Sequence, residues 1–410
     1  MPASPSTARA INDRLALRLL QQEGPLTAGQ LKQLTGLSRP TVADLVERLT
    51  AAGLIAVVGE SGEQRRGPNA RLYGIVADRA HLGALDVRTE SVSVLVSDLL
   101  GGVLAEASVP IGGDTGTGPA VEQAVLLVER AAKEAGADRL HTVGIGAPGL
   151  IDPATGELRD SAGLPEWHRR LVAALQERLP ARVIVENETN LAALAEQREG
   201  VARDRDTFVL LWLGHGTGAA VVLDGALRRG ASGGTGEIGF LPVPGTATLP
   251  SATDCEGGFH SLAGAAAIVE LAGEHGLSAG RAARELPAAA LVRGAVAAVA
   301  GVEAGGGSGV TEVPPEERAG RFLDALADRL AVGAASVAAI LDPGCVVLGG
   351  EVGQAGGDVL AARVAERLAR VSPLATDVRA STLGGGAVLR GALLTARDGA
   401  QDELFTPPER

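Results

Sequence analysis

The stretch FVLLWLGHGTGAAVVLDGALRRGASGGTGEIGF, residues 208–240, decides the fold prediction. Two apolar runs, 208–213 and 219–223, are joined by the glycine-rich segment 214–218, a pattern typical of a β-hairpin. A glycine-rich loop between strands exposes backbone N–H groups, which an anion or a sugar hydroxyl can approach closely. Glycines between strands are more often simple turns, so the function of this hairpin depends on the rest of the chain.

The composition indicates a globular protein. The 410 residues, 46% hydrophobic and 21% charged, are enough for two or three domains with buried cores. The two cysteines, Cys255 and Cys345, give no disulfide framework and are typical of a reducing compartment. No basic-apolar signal peptide opens the chain, and no apolar run reaches the roughly 18 residues of a membrane span. We therefore expect a soluble, cytoplasmic protein without a membrane partner.

Charge is unevenly distributed along the chain, whose formal net charge is −12. Residues 1–75 carry nine Arg or Lys and six Asp or Glu, a net of +3, whereas the remainder carries a net of −15. The acidic total argues against nonspecific nucleic-acid binding by the whole chain. A mildly basic N-terminal part on an acidic body predicts two modules with different partners.

The N-terminal part carries the start signals of a helix-turn-helix. Apolar spacing predicts a first helix over 8–22, and Thr27 and Ser38 are placed to cap a second and a third helix. Pro40 falls in the first turn of the third helix, where its missing N–H costs nothing. The turn between the second and third helices is short and contains Gly36.

Two β-type runs, 54–58 and 70–75, follow the third helix and flank a polar loop. Three helices followed by such a hairpin predict a winged helix-turn-helix DNA-binding domain over 1–76. The third helix would present its polar face to the major groove, and arginines of the wing would contact phosphates or the minor groove. The predicted DNA-contacting residues are Ser38, Arg39, Pro40, Thr41, Asp44, Arg65, Arg66 and Arg71.

Asp44 is the least suited member of this set. A carboxylate is repelled by the DNA phosphates unless it accepts a hydrogen bond from a cytosine amino group. A surface salt link is at least as good an interpretation of this residue. For the domain as a whole, the alternative is a helical protein–protein adaptor with a solvated charged face. The order of cap, turn, glycine and wing favours DNA binding.

From residue 77 to 410 the pattern changes to an α/β body. Three β-type runs, a helix, a strand, a helix, a strand and another helix precede the hairpin, where a second half begins. This repeated order predicts a two-lobed, actin/hexokinase-like (ribonuclease H-like) body with a hinge near 186–190. Ligands of α/β sheets bind at the carboxyl ends of strands. Loops at these ends are predicted at 86–90, 146–149, 186–190 and 214–218.

Six motifs follow one another in fixed order along nearly the whole chain. They are LTGLSRPTVADLVERLTAAGLI (34–55), GIGAPGLID (144–152), VENETN (185–190), LGHGTGAAVVLDG (213–225), GASGGTGEIG (230–239) and LDPGCVVLGGE (341–351). In type, order and spacing these motifs resemble those of the ROK family, which contains bacterial sugar kinases and winged-helix repressors built on the same body. The N-terminal motif resembles the repressor branch.

The resemblance implies a degraded kinase. ROK kinases cradle ATP phosphates with an Asp-x-Gly-Gly-Thr loop, whereas the corresponding run here starts at Asp86 and continues with Arg88, Thr89 and Glu90. Side chains would fill the space where backbone must approach phosphate, and Glu90 would repel it. Glu188 stands where the family uses an Asp as general base, and its extra methylene moves the carboxylate by roughly 1 Å, enough to lower the rate strongly. We therefore expect no enzyme activity and no cofactor.

The resemblance also implies that the family's zinc site is incomplete. The family uses one His after its Glu-x-Gly and three Cys, whereas here Phe240 follows residues 237–239. One Cys and one His, Cys255 and His260, cannot make a four-ligand tetrahedral site, so we expect no structural zinc. The alignment that puts Gly258 at the last cysteine gives His260 the place of a second sugar-binding Glu.

The sugar-binding side of the family site is retained. Paired carboxylates and an amide suit a hydroxyl-rich neutral ligand. The alternatives are a salt bridge between lobes for Glu237, a turn residue for Asn187, and an ordinary core or surface histidine for His260. The predicted ligand-binding residues are Gly149, Asn187, Glu188, Gly216, Glu237 and His260.

The sequence therefore predicts a ligand-responsive transcription factor, most simply a repressor, that binds operator DNA as a homodimer or tetramer. A carbohydrate or sugar phosphate would bind the kinase-like, noncatalytic cleft and lower operator affinity by favouring one arrangement of the lobes. Two alternatives remain. One is a sugar kinase with an ancillary DNA-binding head, and the other is a DNA-binding regulator that no ligand controls.

Overall fold

A computed structural model gives the fold of the chain. It describes residues 5–61, 70–88, 91–112, 115–156, 158, 166–178, 180–278, 285–302 and 314–405. The chain forms two compact units, and it passes between them after residues 145, 165, 184 and 391. The first unit contains the N-terminal part and the C-terminal end, and the second contains most of the rest. The domain boundary at residue 76 and the hinge near 186–190 stay predictions.

Helices and strands occupy most of the described residues. The helices are α1 (Pro5–Glu23), α2 (Ala28–Thr35), α3 (Arg39–Ala51), α4 (Thr117–Glu134), α5 (Glu166–Arg178), α6 (Glu188–Arg198), α7 (His260–Ala263), α8 (Ala265–Glu274), α9 (Pro287–Val302), α10 (Pro315–Leu341), α11 (Gly350–Val371) and α12 (Ala387–Leu404). The strands are β1 (Leu26–Thr27), β2 (Ile55–Ser61), β3 (Ala70–Ile75), β4 (Leu82–Val87), β5 (Ser91–Ser97), β6 (Val103–Pro110), β7 (Thr142–Ala147), β8 (Arg182–Asn187), β9 (Phe208–Leu213), β10 (Thr217–Leu223), β11 (Ala226–Arg228), β12 (Cys345–Gly349) and β13 (Asp377–Ala380).

The N-terminal part of the first unit is a winged helix, as predicted. Thr27 and Gln30 form a capping box at the start of α2, and Gly36 ends that helix with a left-handed φ of 69°. The strands form a sheet in the order β1-β3-β2. The sequence did not indicate β1, because two residues are too few to show alternation.

The core of this winged helix includes residues from the far end of the chain. Leu17, Leu31 and Leu45 of α1, α2 and α3 are buried in one cluster with Ala400 of α12 and with Phe405, which follows α12. Phe405 is only 4% exposed. The end of the C-terminal helix therefore packs in one core with the winged helix and with Leu82 and Leu99, in and next to the sheet that follows it.

The rest of the first unit is built on a sheet in the order β6-β5-β4-β7-β8. Strands β4 and β7 are buried at every position, whereas β6 is exposed or half-buried throughout, as expected for an edge strand. Strands β4, β5 and β6 pair antiparallel in sequence, as the three β-type runs predicted.

The second unit is built on a sheet in the order β11-β10-β9-β12-β13. Strands β9 and β10 form the predicted antiparallel hairpin, with Leu213 opposite Thr217. Strands β12 and β13 add in parallel, and a core that includes the fully buried Phe259 and Phe322 packs against the sheet. The mixed α/β fold class is thus confirmed. None of the described helices is long and apolar enough to cross a membrane.

Candidate functional site

A hydrogen-bonded cap holds the start of α3. Ser38 Oγ accepts from the Thr41 amide at 3.3 Å and lies 2.7 Å from Thr41 Oγ1. Pro40 fits the first turn because no intrahelical N–H is needed there. Ser38 and Pro40 therefore order the end of the helix, and Arg39 between them is exposed.

We expect Ser38→Ala to lower the free energy of unfolding by about 1 kcal/mol, because it removes the acceptor that satisfies an amide of the first turn. Urea denaturation of the two proteins measures the difference. Ser278→Ala, at an exposed serine outside any helix, is the matched control and should change stability by less than about 0.5 kcal/mol. Equal effects of the two substitutions would contradict the capping role.

Asp44 forms a salt link within α3. Its carboxylate is exposed and pairs with Arg48 one turn later. Arg48 also pairs with Asp13 of α1 at 2.6 Å, and Asp13, followed by Asp44, raises the pKa of the Arg48 guanidinium. The salt link that the sequence left open for Asp44 is therefore present, and it explains this residue without a base contact.

The wing is described only in part. Arg71 lies on β3 with an exposed side chain, opposite Glu60 of β2 in the antiparallel register. Arg65 and Arg66 lie outside the described residues, so their phosphate contacts stay predictions.

Asn187 caps α6 and uses all the hydrogen-bonding capacity of its side chain. Its Oδ1 accepts from the amides of Thr189 and Asn190 at 2.9 and 3.3 Å. Its Nδ2 donates to the Gly149 carbonyl at 3.0 Å and to Glu188 Oε2 at 3.1 Å. A side-chain amide has two acceptor sites and two donors, so none is left for a ligand. The geometry therefore favours the turn role, in which Asn187 holds Gly149 beside Glu188.

Glu186 is a buried carboxylate that the sequence analysis did not select. Its Oε1 accepts from the Asn187 amide at 3.0 Å and from Asn190 Nδ2 at 2.9 Å. Its Oε2 pairs with Arg229 Nε at 2.6 Å. Because Arg229 immediately precedes the glycine-rich loop 230–237, this ion pair ties the loop to the start of α6. The available signal was the acidic residue that opens the polar run at the end of β8.

Glycines allow the loop 230–237 to pack against backbone. A Cβ added at Gly233 would overlap the Ile151 carbonyl, and one added at Gly236 would overlap the Ala219 carbonyl. Both glycines also have positive φ values, 83° and 91°, which side chains disfavour. The loop is therefore held against the segment after β7 and against β10.

Glu237 ends this loop without a partner among the described residues. Both Glu237 and Leu150 lie close to Gly234. A Cβ added at Gly234 would be 3.7 Å from Glu237 Cγ and 3.5 Å from Leu150 Cδ2. The residue is open to solvent, yet the surrounding protein removes enough water to raise the pKa of the carboxyl by desolvation. The salt-bridge alternative is thus not seen in the described part of the chain. A carboxylate with free acceptor sites suits a ligand that donates hydrogen bonds.

His260 begins α7 close to the same segment, with its Cβ 3.7 Å from the position of a Cβ added at Gly239. The residue is half-buried. Desolvation lowers the pKa of its imidazole, the charge of Asp254 opposes this, and His215 adds to it. We therefore expect a neutral imidazole at pH 7, with one donor and one acceptor.

The turn of the β9–β10 hairpin is open at Gly216, where an added Cβ would have no heavy atom within 4 Å. Thr189 Oγ1 of α6 lies 3.3 Å from the position of a Cβ added at Gly218. Between these glycines, the buried Thr217 Oγ1 has no hydrogen-bond partner among the described residues. The predicted residues Gly149, Glu188, Gly216, Glu237 and His260 thus all lie in the second unit.

The residues present do not fit the family's zinc ion. Cys255 is half-buried and Cys345 lies buried in β12, and burial raises the pKa of both thiols, which disfavours thiolate ligands. Within the described ranges, no group of three or more His, Cys, Asp or Glu side chains is placed to hold a metal. Phe240 offers no ligand atom.

Two acidic side chains lie at the predicted strand-end loops 86–90 and 214–218. In the first unit, the buried Asp86 at the end of β4 pairs with Arg88 Nε at 2.9 Å. Thr89 and Glu90 lie outside the described residues. In the second unit, Glu351 Oε2 lies 2.6 Å from the position of a Cβ added at Gly214.

Two family profiles match the chain. The profile of the ROK family matches residues 83–398, which is most of the body. The profile of the MarR family matches residues 11–67, which is most of the winged helix.

Curated relatives match part of the chain. The DNA-binding transcriptional dual regulator NagC of Escherichia coli K12 is 27% identical over 243 residues, which are 57% of this chain and 58% of that regulator. The xylose repressor of Bacillus subtilis 168 is 23% identical over 248 residues, which are 59% of this chain and 62% of that repressor. The match thus spans less than two thirds of the length of these relatives.

Solved structures share the fold. A ROK family transcriptional regulator, a homologue of the E. coli MLC protein, has a TM-score of 0.74 at 20% identity, over 97% of this chain and 98% of that one. The ROK hexokinase of Thermus thermophilus has a TM-score of 0.59 at 27% identity, over 78% of this chain and 99% of that one. The match to the regulator spans nearly the whole chain, both winged helix and body. The match to the hexokinase spans 78% of the chain, which is close to the length of the body alone.

Proposed function

Because the chain belongs to the ROK family, we propose that it is a transcriptional repressor whose winged helix binds operator DNA and whose body senses a carbohydrate. One observation carries this proposal. A single chain joins a capped recognition helix with an exposed Arg39 to a candidate sugar site in which Glu237 has no described partner. Relatives that carry the names N-acetylglucosamine repressor and xylose repressor support it.

A homodimer would place two winged helices on one duplex. Two-fold symmetric dimers read half-sites about one helical turn apart, and we propose that a homodimer of this chain does so. Capture of genomic fragments by the purified protein tests the function. We expect the captured fragments to share a two-fold-related sequence, and a distribution without a shared sequence would contradict operator binding.

Arg39→Ala should weaken specific operator binding by about 1–3 kcal/mol, because an arginine that bonds a guanine edge contributes about that much. A mobility-shift titration with the captured operator measures the loss. Arg203→Ala removes the same charge from an exposed position in the second unit and should leave the affinity almost unchanged. An unchanged affinity of the Arg39 variant would exclude a base contact.

We further propose that the body does not transfer phosphate. The carboxylate of Asp86 is neutralised by Arg88 at 2.9 Å, and the Arg88 side chain stands where the family's loop has glycine. The longer Glu188 replaces the general base. We expect no sugar-dependent ADP release with ATP and a panel of hexoses. A turnover that Glu188→Gln abolishes would contradict a noncatalytic body.

Helix α12 offers a route from the candidate site to the head. A Cβ added at Gly391 would overlap the Leu191 carbonyl of α6, and α6 begins at Glu188. Further along, Ala400 and the residue after the helix, Phe405, lie in the core of the winged helix. We propose that carbohydrate binding at the start of α6 changes the position of α12 and so changes operator affinity.

A further inference from the structure

Glu196 is a charged side chain in a position that is unfavourable for a charge. It lies in the last turn of α6, where the helix dipole disfavours a negative group. It is also fully buried, so water cannot solvate the carboxylate. A Cβ added at Gly200 would overlap its Oε2, which shows how closely the chain surrounds this group. Hydrogen bonds from the protein must therefore offset both effects.

The hydrogen bonds of Glu196 join α6 to the segment that precedes α12. Its Oε1 accepts from the Ser381 hydroxyl and from the Leu383 amide, the latter at 3.3 Å. Its Oε2 accepts from the Val201 amide at 2.9 Å. Ser381 directly follows β13, and α12 begins a few residues after Leu383. One buried carboxylate thus holds both the loop after α6 and the segment 381–383.

The segment before α12 is also fixed by its neighbours in the sheet and in α11. The Ser381 amide donates to the Leu348 carbonyl of β12 at 3.0 Å. A Cβ added at Gly384 would overlap the Gln354 side chain of α11, and the φ of Gly384 is positive, 57°, which a glycine tolerates best. The chain then enters α12, so the position of the first turn of that helix depends on a segment that Glu196 holds.

Two further contacts between α6 and α12 are of other kinds. The close approach of Gly391 to the Leu191 carbonyl keeps the helices from moving closer but does not keep them from separating. The ion pair between Arg390 and Glu199, at 2.9 Å, is exposed, so water competes with it and it contributes little. Of these three links, the hydrogen bonds of Glu196 are the ones that are both buried and directional.

We propose that Glu196 is a positioning residue that makes the start of α12 follow α6, and that it thereby transmits sugar binding to the operator. The inference rests on the proposed sensor function and names the residue that couples its two sites. Glu196 lies eight residues beyond Glu188, the first residue of α6, so the helix carries a shift of its first turn over about 12 Å to this carboxylate. Hydrogen bonds to a buried charge resist separation of the two segments. The segment 381–383, and α12 after it, therefore move with α6.

The coupling ratio tests the proposal, because it can fall while each site still binds its ligand. The ratio is the operator Kd at saturating sugar divided by the operator Kd without sugar, measured by anisotropy of labelled operator on the full-length protein. The sugar is whichever of glucose, N-acetylglucosamine and xylose binds the wild-type protein most tightly by calorimetry.

Glu196→Gln should lower the coupling ratio from about ten or more to below about three. Glutamine has the same size, but its NH2 group cannot accept a hydrogen bond from an amide or a hydroxyl. The sugar Kd of the free protein and the operator Kd without sugar should each stay within about threefold of wild type. Glu270→Gln makes the same change at an exposed position of α8 and should keep the wild-type ratio.

A double-mutant cycle separates coupling from folding. Ser381→Ala removes the hydroxyl donor and should lower the ratio as well. Because both substitutions act on one link, the double variant should lose no more coupling than Glu196→Gln alone. If a thermal melt shows that Glu196→Gln does not fold, the ratio of Ser381→Ala decides the question by itself.

Failure of the two proposals can be told apart. A wild-type ratio in folded Glu196→Gln or Ser381→Ala protein overturns the inference and leaves the sensor function in place. Equal losses in Glu196→Gln and Glu270→Gln also overturn it, because the exposed carboxylate lies outside this link. If none of the three sugars binds the folded wild-type protein, the sensor function fails and the inference fails with it.

Discussion

Phe405→Ala is expected to lower the free energy of unfolding of the first unit by about 3–5 kcal/mol, because a large buried aromatic side chain leaves a cavity that its neighbours fill only in part. Phe405 is 4% exposed and packs in the core of the winged helix, although it lies more than 300 residues beyond that domain in sequence. Denaturant unfolding measures the loss. The same variant should bind operator DNA poorly at temperatures where the wild-type protein binds well.

Leu249→Ala is the matched control, since Leu249 is 78% exposed. It should change stability by less than about 0.5 kcal/mol. Phe405→Leu, which keeps most of the apolar volume, should recover part of the stability and of the operator binding. A fully stable Phe405→Ala protein would contradict the packing of this side chain in the core that it shares with the winged helix.

Glu237→Gln should remove the response to sugar and leave operator affinity in the absence of sugar unchanged. We propose that the effector donates hydrogen bonds from its hydroxyl groups to this carboxylate. Glutamine has the same size, but its NH2 group cannot accept a hydrogen bond from a sugar hydroxyl, so one acceptor is lost. Titration of labelled operator with the variant, with and without the sugar, measures both quantities at once.

Glu270→Gln serves as the control for charge, and it should keep both the operator affinity and the response. A Glu237→Gln protein that still releases the operator at the wild-type sugar concentration would exclude this carboxylate as the ligand contact. A variant that fails to bind operator without sugar would point instead to a structural role.

Local signals in the sequence predicted local structure well. The caps at Thr27 and Ser38, the glycine after α2 and the apolar face of α3 each involve residues within one or two helical turns. The hairpin β9–β10 likewise follows from two apolar runs and the turn between them. These elements form because their determinants are close in the chain, so periodicity and capping residues suffice.

Contacts between distant segments were not predictable in the same way. The Glu186–Arg229 pair joins residues 43 positions apart, and the packing of Ala400 and Phe405 into the head joins opposite ends of the chain. Apolar periodicity shows that a helix has a buried face but does not show what covers it. Residues 77–410, which include the C-terminal segment, were therefore all assigned to the body.

The candidate site was predicted by residue type and only partly by role. Asn187 was selected as a ligand contact, yet its four hydrogen bonds hold the start of α6 and the Gly149 carbonyl. Asp44 was selected for DNA, yet it pairs with Arg48. Which partner a polar side chain takes depends on the three-dimensional neighbourhood, because carboxylates and amides bond many kinds of group equally well.

The central claim, that a carbohydrate bound in the body controls operator affinity, is tested most directly by fluorescence anisotropy of a labelled operator at fixed salt. We predict that a saturating free sugar raises the operator Kd of the wild-type protein by about tenfold or more, a coupling of about 1.4 kcal/mol or more. A sugar that binds the protein by calorimetry and leaves the operator Kd unchanged would contradict the account.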